Sequence, residues 1–237
     1  MIKRFLVLIF LFGLGGIFAT LLLGYTPDNE LNLTARYYAE HTAQDIGAAN
    51  IVTAIIVTYR GLDTLGEVTV LFLTAAIVGL LLTRRLVRED RQGNPLKRKL
   101  SQSGELLTIG SLLLVPLILL LGAYVFINGH LTPGGGFQGG AIVASAILLM
   151  LLADPLHRFS HRLISAVESI SGLFFISIGV LGIFFAGGFL DNRILPIGEL
   201  GSLFSAGAIP VIYSFVGLKV GAEFSSMLVN LSETEDS

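Results

Sequence analysis

Residues 129–140, GHLTPGGGFQGG, place six glycines and a proline between two apolar stretches, each long enough to be a helix. Irregular backbone at bilayer depth survives only where it is buried in protein or lines a wet cavity, because lipid offers no partner to a free amide or carbonyl. This segment argues against an isolated membrane anchor and points to a component of a packed assembly. Composition agrees. Hydrophobic residues make up 53% of the 237-residue chain and charged residues 14%, against about 25% charged in a soluble domain. Mean hydropathy is +0.80. The expected fold class is an all-α, polytopic membrane protein with a glycine-rich broken first turn on one helix. The chain has no cysteine, which excludes internal disulfides, thiol redox chemistry and iron–sulfur ligation. It has no tryptophan either, so its six tyrosines are left to supply the interfacial aromatic belt.

A membrane-crossing helix needs about 20 mostly apolar residues. Segments 5–23, 43–59, 67–83, 105–127, 133–153, 163–188 and 199–221 qualify, which predicts about seven spans. Lys3 and Arg4 precede the first, but its apolar run is too long for a signal-peptide core, so it is expected to be retained. The second is the weakest, with Gln44, Asp45 and Asn50 in its first half, and a broken or re-entrant helix is its alternative. In the fifth, Pro133 is the expected helix start, with the glycines forming the first turns. Orientation follows from Lys and Arg placement. Seven of these residues fall within 84–99, which is expected to face the cytoplasm together with 156–162 and the tail 233–237. Seven full spans then put the N-terminus outside, against Lys3 and Arg4. If 43–59 does not cross, it returns to the cytoplasm.

The turn-rich Gln92-Gly93-Asn94-Pro95 divides the chain into two expected membrane units, 1–90 with about three helices and 91–237 with about four. In the second, Gly104-Glu105 before Pro116 is echoed by Gly198-Glu199 before Pro210, and both prolines are expected to kink their helices.

Candidate functional residues are the ionisable groups close to membrane depth, where charge is costly and more often marks an ion path or a buried pair. Arg60, Asp63 and Glu67 lie in the loop RGLDTLGE, with Glu67 in the expected first turn of the third span, where the helix dipole favours an anion. Glu105 and Glu199 occupy similar helix starts, and capping suffices for them. Glu168 lies deeper in the sixth span. Lys219 and Glu223 are four apart near the end of the last, readable as an exposed i,i+4 pair or as a relay. His130, before the glycine run, titrates near neutral pH when unperturbed. The run Pro133, Gly134, Gly135, Gly136, Phe137, Gly139 and Gly140 is not a phosphate loop: it lacks the Gly-Lys-Ser/Thr ending and follows no strand. Close helix approach and backbone groups turned to a cavity are its natural uses. No metal-ligand cluster, nucleophile–base pair or nucleic-acid-binding pattern is present, so no enzyme, cofactor or nucleic-acid partner is expected.

At these two stretches the chain becomes recognisable. HLTPGGGFQGG, residues 130–140, resembles the signature of the MrpB/MnhB subunit of Mrp-type multisubunit Na+/H+ antiporters, a likeness covering about 100–225. NIVTAIIVTYRGLDTLGEVTV, residues 50–70, resembles the C-terminal end of the large MrpA protein. In related membrane-bound hydrogenases that segment is a separate small subunit, of the E type. One departure is Thr58-Tyr59-Arg60 where that family often has Asp-Phe-Arg, which removes an acidic residue just before the loop. The resemblance implies a fusion of the MrpA C-terminal region with MrpB. It implies a multi-pass subunit of a cation/proton antiporter complex in the inner (plasma) membrane of a prokaryote. Its partners would be MrpA-, MrpC- and MrpD-like and small subunits and the lipid bilayer, with Na+ and H+ as transported ions. The alternative is a membrane-arm subunit of a gas-evolving hydrogenase or a related redox complex.

Overall fold

A computed structural model describes residues 2–25, 30–91, 104–155 and 158–235. Among them every regular element is helical: α1 (Ile2–Gly24), α2 (Leu33–Asp45), α3 (Ile51–Ala54), a π-helical turn (Ile55–Tyr59), α4 (Gly61–Arg91), α5 (Glu105–Ile127), α6 (Gly136–Ala153), α7 (His161–Phe185), a 3-10 turn (Asn192–Ile194) and α8 (Ile209–Glu235). The linker 92–95, residues 156–157 and the last two tail residues lie outside the described residues.

Among the described residues six helices are long and apolar enough to cross a membrane: α1, α4 through Leu82, α5, α6, α7, and α8 through Glu233. The difference from the expected seven is segment 43–59, which does not form one span. α2 stops at Asp45, Gly47 turns the chain with φ of +75°, and a new helix starts at Ile51 and widens into the π turn. Gly47 packs so closely on Ile197 and the backbone of Ala206 that a Cβ has no room, and Asn50 caps the new helix with its side chain.

The chain forms two compact units, residues 1–37 and 38–237. In the first, α1 is apolar on all faces and its described side chains are exposed, as suits a helix surrounded by lipid or other subunits. In the second, α5, α6 and α7 pack on α8, and α4 adds to the same central helix. Glycines set the separation. A Cβ on Gly139 would sit 2.7 Å from the Gly122 carbonyl oxygen, and one on Gly140 would sit 2.7 Å from that of Gly217. The backbones of α5, α6 and α8 thus meet directly, the usual route to helix association where no hydrophobic force acts between helices. Val57, Phe175, Ile209, Ile212, Val216 and Val220 fill the interior. Leu112, Leu113, Leu173 and Phe184 point outward, the inverse of a soluble core.

Three helix starts differ from the sequence expectation. α6 begins at Gly136 rather than Pro133, because Gly135 holds φ 154° and ψ −175°, a region open to essentially no other residue. α8 begins at Ile209 rather than near Glu199, which lies in the 186–208 connection. Pro210 therefore falls in a first turn, where its missing N–H costs nothing and no kink is required. Pro116 does lie inside α5, so the echo between the two Gly-Glu…Pro stretches does not extend to structure. α4 starts at Gly61, which places Glu67 beyond its first turn.

Candidate functional site

The two signature stretches meet at Asn50. Its Nδ2 donates to the Gly129 carbonyl at 2.9 Å and to that of Thr132 at 3.0 Å. Its backbone N–H donates to the His130 carbonyl at 3.0 Å. Its Oδ1 accepts from the N–H groups of Val52 and Thr53, at 3.1 and 3.4 Å. Thr53 Oγ1 donates to Gly129 O at 2.6 Å, and Tyr213 OH donates to Thr53 Oγ1 at 3.2 Å. One amide thus satisfies a helix start and two loop carbonyls that lipid would leave unpaired. Gly129 has no room for a Cβ, which would lie 2.7 Å from the Tyr213 ring. Beside this junction an open cavity of about 410 Å³ is lined by Asn50, Val52, Leu131, Thr132, Pro133 and Gln138.

In RGLDTLGE, the Arg60 guanidinium pairs with the Asp63 carboxylate. Both are about half exposed, so the pair adds little stability. Glu67 follows one turn after Asp63 and is exposed. Thr64, which sequence reasoning passed over, is buried and donates from Oγ1 to the Ile56 carbonyl at 2.8 Å, across the π turn. Such turns shift the ladder by one residue and leave a carbonyl in need of a donor. Gly61 lets the 186–191 loop approach, since a Cβ would sit 2.9 Å from Leu190 Cβ.

His130 is fully buried. Its Nε2 lies 3.3 Å from the Ser202 carbonyl, which selects the Nε2–H tautomer, and Nδ1 has no partner among the described residues. Burial lowers its pKa below the usual 6.5, against the opposing backbone contacts of Ser202, Ile127 and Leu203. Nearby, Asn192 Nδ2 donates to the carbonyls of Ile46 and Ala206, at 2.8 and 3.0 Å. The Asp191 carboxylate accepts from the N–H groups of Gly187 and Arg193 and from Arg193 Nε, at 2.9, 3.0 and 2.9 Å. The Arg193 side chain holds the Asp191 carboxyl below its usual range.

Lys219 and Glu223 differ most from the exposed-pair reading. Nζ meets Oε1 at 2.7 Å, with the lysine side chain 10% exposed and the glutamate 0%. Lys219 Nζ also lies 5.1 Å from the centre of the Phe72 ring on α4. Glu168, half-buried on α7, is close enough to act electrostatically on Glu223. The structure thus gathers Glu168, Lys219 and Glu223 into one cluster and pairs Arg60 with Asp63, with Glu67 one turn further along α4 and His130 apart in the loop layer. Among the described residues no three His, Asp or Glu side chains converge as metal ligands. Asn50 had a sequence signal, a capping residue inside a doubtful span. Asn192 and Tyr213 had none, because their partners are 146 and 160 residues away.

Residues 106–226 match the family described as a domain related to the MnhB subunit of Na+/H+ antiporters, and residues 4–99 match that described as the E subunit of MBH. An uncharacterized protein of Methanocaldococcus jannaschii is 32% identical over 204 residues, covering 77% of each chain. A probable A/B subunit of a K+/H+ antiporter from Rhizobium meliloti is 29% identical over 166 residues, 62% of this chain and 16% of that one. Among solved structures, a chain of the membrane-bound sulfane sulfur reductase, an archaeal respiratory membrane complex, superposes with a TM-score of 0.81 at 38% identity and covers 98% of both chains.

Proposed function

The chain belongs to the family of domains related to the MnhB subunit of Na+/H+ antiporters, and from that premise we propose that it works as a membrane subunit of a multisubunit cation/proton antiporter. It is a multi-pass protein of the plasma membrane. It supports coupled ion movement at the interface between larger antiporter-like subunits, with MrpA-, MrpC- and MrpD-like and small subunits as partners. It carries no reaction that makes or breaks a covalent bond. The observation that carries the reading is the antiporter-subunit match over 106–226, on helices joined backbone to backbone through glycine. The A/B relative, in which both modules share one name, supports a fusion of an MrpA C-terminal-like unit, 1–90, with an MrpB-like unit, 91–237. Within it, Arg60, Asp63 and Glu67 are the ion-path group at the RGLDTLGE loop, and Pro133 through Gly140 form the structural element that seats α6 on α5 and α8.

A second reading has one observation in its favour. The near full-length likeness to a respiratory-complex chain supports a redox membrane arm built on the same module. Purification of the intact complex separates the two. Co-purifying antiporter-like subunits, with Na+- or K+-dependent pH change in everted vesicles, is the expected result. Co-purifying iron–sulfur subunits and no cation-driven pH change would overturn the antiporter assignment.

A further inference from the structure

We infer that the seam between α4, α7 and α8 is a proton half-channel, open at the end of the bundle where α8 finishes and closed at the Lys219–Glu223 pair. This rests on the antiporter reading and gives it a route through this chain.

The inference begins with spacing. α8 carries Lys219, Glu223, Ser226, Asn230 and Glu233 at steps of four, three, four and three, a single stripe along one helix face. The neighbours repeat it. On α4, Phe72 faces Lys219, and Gly79, seven residues later, lies beside Asn230, where a Cβ would be 3.7 Å from Nδ2. On α7, Gly172 lies against the Lys219 side chain, Glu168 is one turn earlier, and His161 is seven residues before that. At its open end His161 Nε2 of α7 lies 2.7 Å from Glu233 Oε1 of α8, and along α8 itself Asn230 Nδ2 donates to Ser226 Oγ at 3.5 Å and Lys219 Nζ meets Glu223 Oε1 at 2.7 Å.

Exposure falls along it. His161 and Glu233 are 49% and 48% exposed, whereas Glu223 is fully buried. About 15 Å of helix separates the two glutamates. Glu223 Oε2 has no hydrogen-bond partner among the described residues. A buried charge of this kind is expensive and in membranes marks function by default. The titratable groups that face the pair are Glu168 from α7 and, further along, His161 and Glu233. α4 offers it an aromatic ring at Phe72. α6, on the other side of α8, has no charged residue, and α5 has only Glu105 at its start.

A proton enters from water at the half-exposed His161–Glu233 pair, crosses the Asn230 and Ser226 stretch of α8 and ends on Glu223. The carboxylate becomes a neutral acid, and Lys219 keeps its charge against Phe72, next to Glu168. One proton moves and no electron does. Arg84, Arg85, Arg88 and Arg91 fall in the last turns of α4 at this same end, so the mouth faces the cytoplasm.

The test uses the intact complex in proteoliposomes, with pH change driven by added Na+ or K+. A purely structural ion pair tolerates replacement by apolar residues of similar volume. Lys219→Met with Glu223→Met is therefore expected to assemble yet lose transport at least tenfold, and an assembled, fully active double variant overturns the half-channel. If the double variant does not assemble, His161→Asn and Glu233→Gln decide, since both sites are half exposed. A severalfold lower rate with a shifted pH profile supports the route, and an unchanged rate and profile in both overturns it. A wild-type complex with no cation-driven pH change refutes the antiporter reading instead. The half-channel is then read by infrared titration, where a protonated-carboxyl band lost in Glu223→Gln supports it and an unaltered spectrum overturns it.

Discussion

Asn50→Ala probes the junction on which both signature stretches depend. The change removes two donated hydrogen bonds, to Gly129 O and Thr132 O at 2.9 and 3.0 Å, and the acceptor for the N–H groups of Val52 and Thr53. A buried hydrogen bond contributes about 1 kcal/mol net, and an N-cap about 1 kcal/mol. The expected loss is about 3 kcal/mol. With 1.4 kcal/mol per factor of ten, local opening becomes about a hundredfold more frequent. Hydrogen exchange on the assembled complex reads this directly, at the amides of Asn50, Ala54, Leu131 and Thr132, each of which is bonded across or within the junction. Asn50→Asp keeps the cap but turns a carboxylate toward two carbonyls, so it is expected to be at least as damaging as alanine. Exchange accelerated less than threefold in Asn50→Ala, or slower in Asp than in Ala, would refute the role given to the amide.

Three other outcomes are expected. Gly140→Ala brings a Cβ to 2.7 Å from the Gly217 carbonyl and should destabilise by about 1–3 kcal/mol, lowering the yield of assembled complex. Gly66→Ala, which meets open space, should leave it unchanged or raised. Because burial lowers the folded-state pKa of His130, the unfolded chain binds more protons below about pH 6.5. Stability should therefore be flat above that pH and fall as pH drops toward the folded-state value, and melting between pH 5 and 8 should show the slope shrinking in His130→Gln. Glu67 lies past the first turn of α4, where a dipole or cap contribution has faded. Glu67→Gln should thus leave assembly intact and cut vesicle antiport at least tenfold, and full activity would remove Glu67 from the ion path.

What the sequence determined by itself was set by local properties. Hydropathy summed over about 20 residues located α1, α5, α6 and α7 to within a few residues, because insertion into lipid depends on the segment and little on its neighbours. The glycine run announced close helix contact for the same reason: only the missing side chain matters, and Gly139 and Gly140 do face the backbones of α5 and α8. Tertiary structure decided the rest. Residues 43–59 are apolar enough to suggest a span, yet they break because Asn50 and the end of α2 are held by Gly129 and Asn192, 79 and 146 residues distant. The i,i+4 spacing of Lys219 and Glu223 was plain to read, but their burial was not. That depends on Phe72 of α4 and Gly172 of α7 closing over the pair, and an ion pair changes from a solvated surface contact to a costly buried charge only when other helices take its water away.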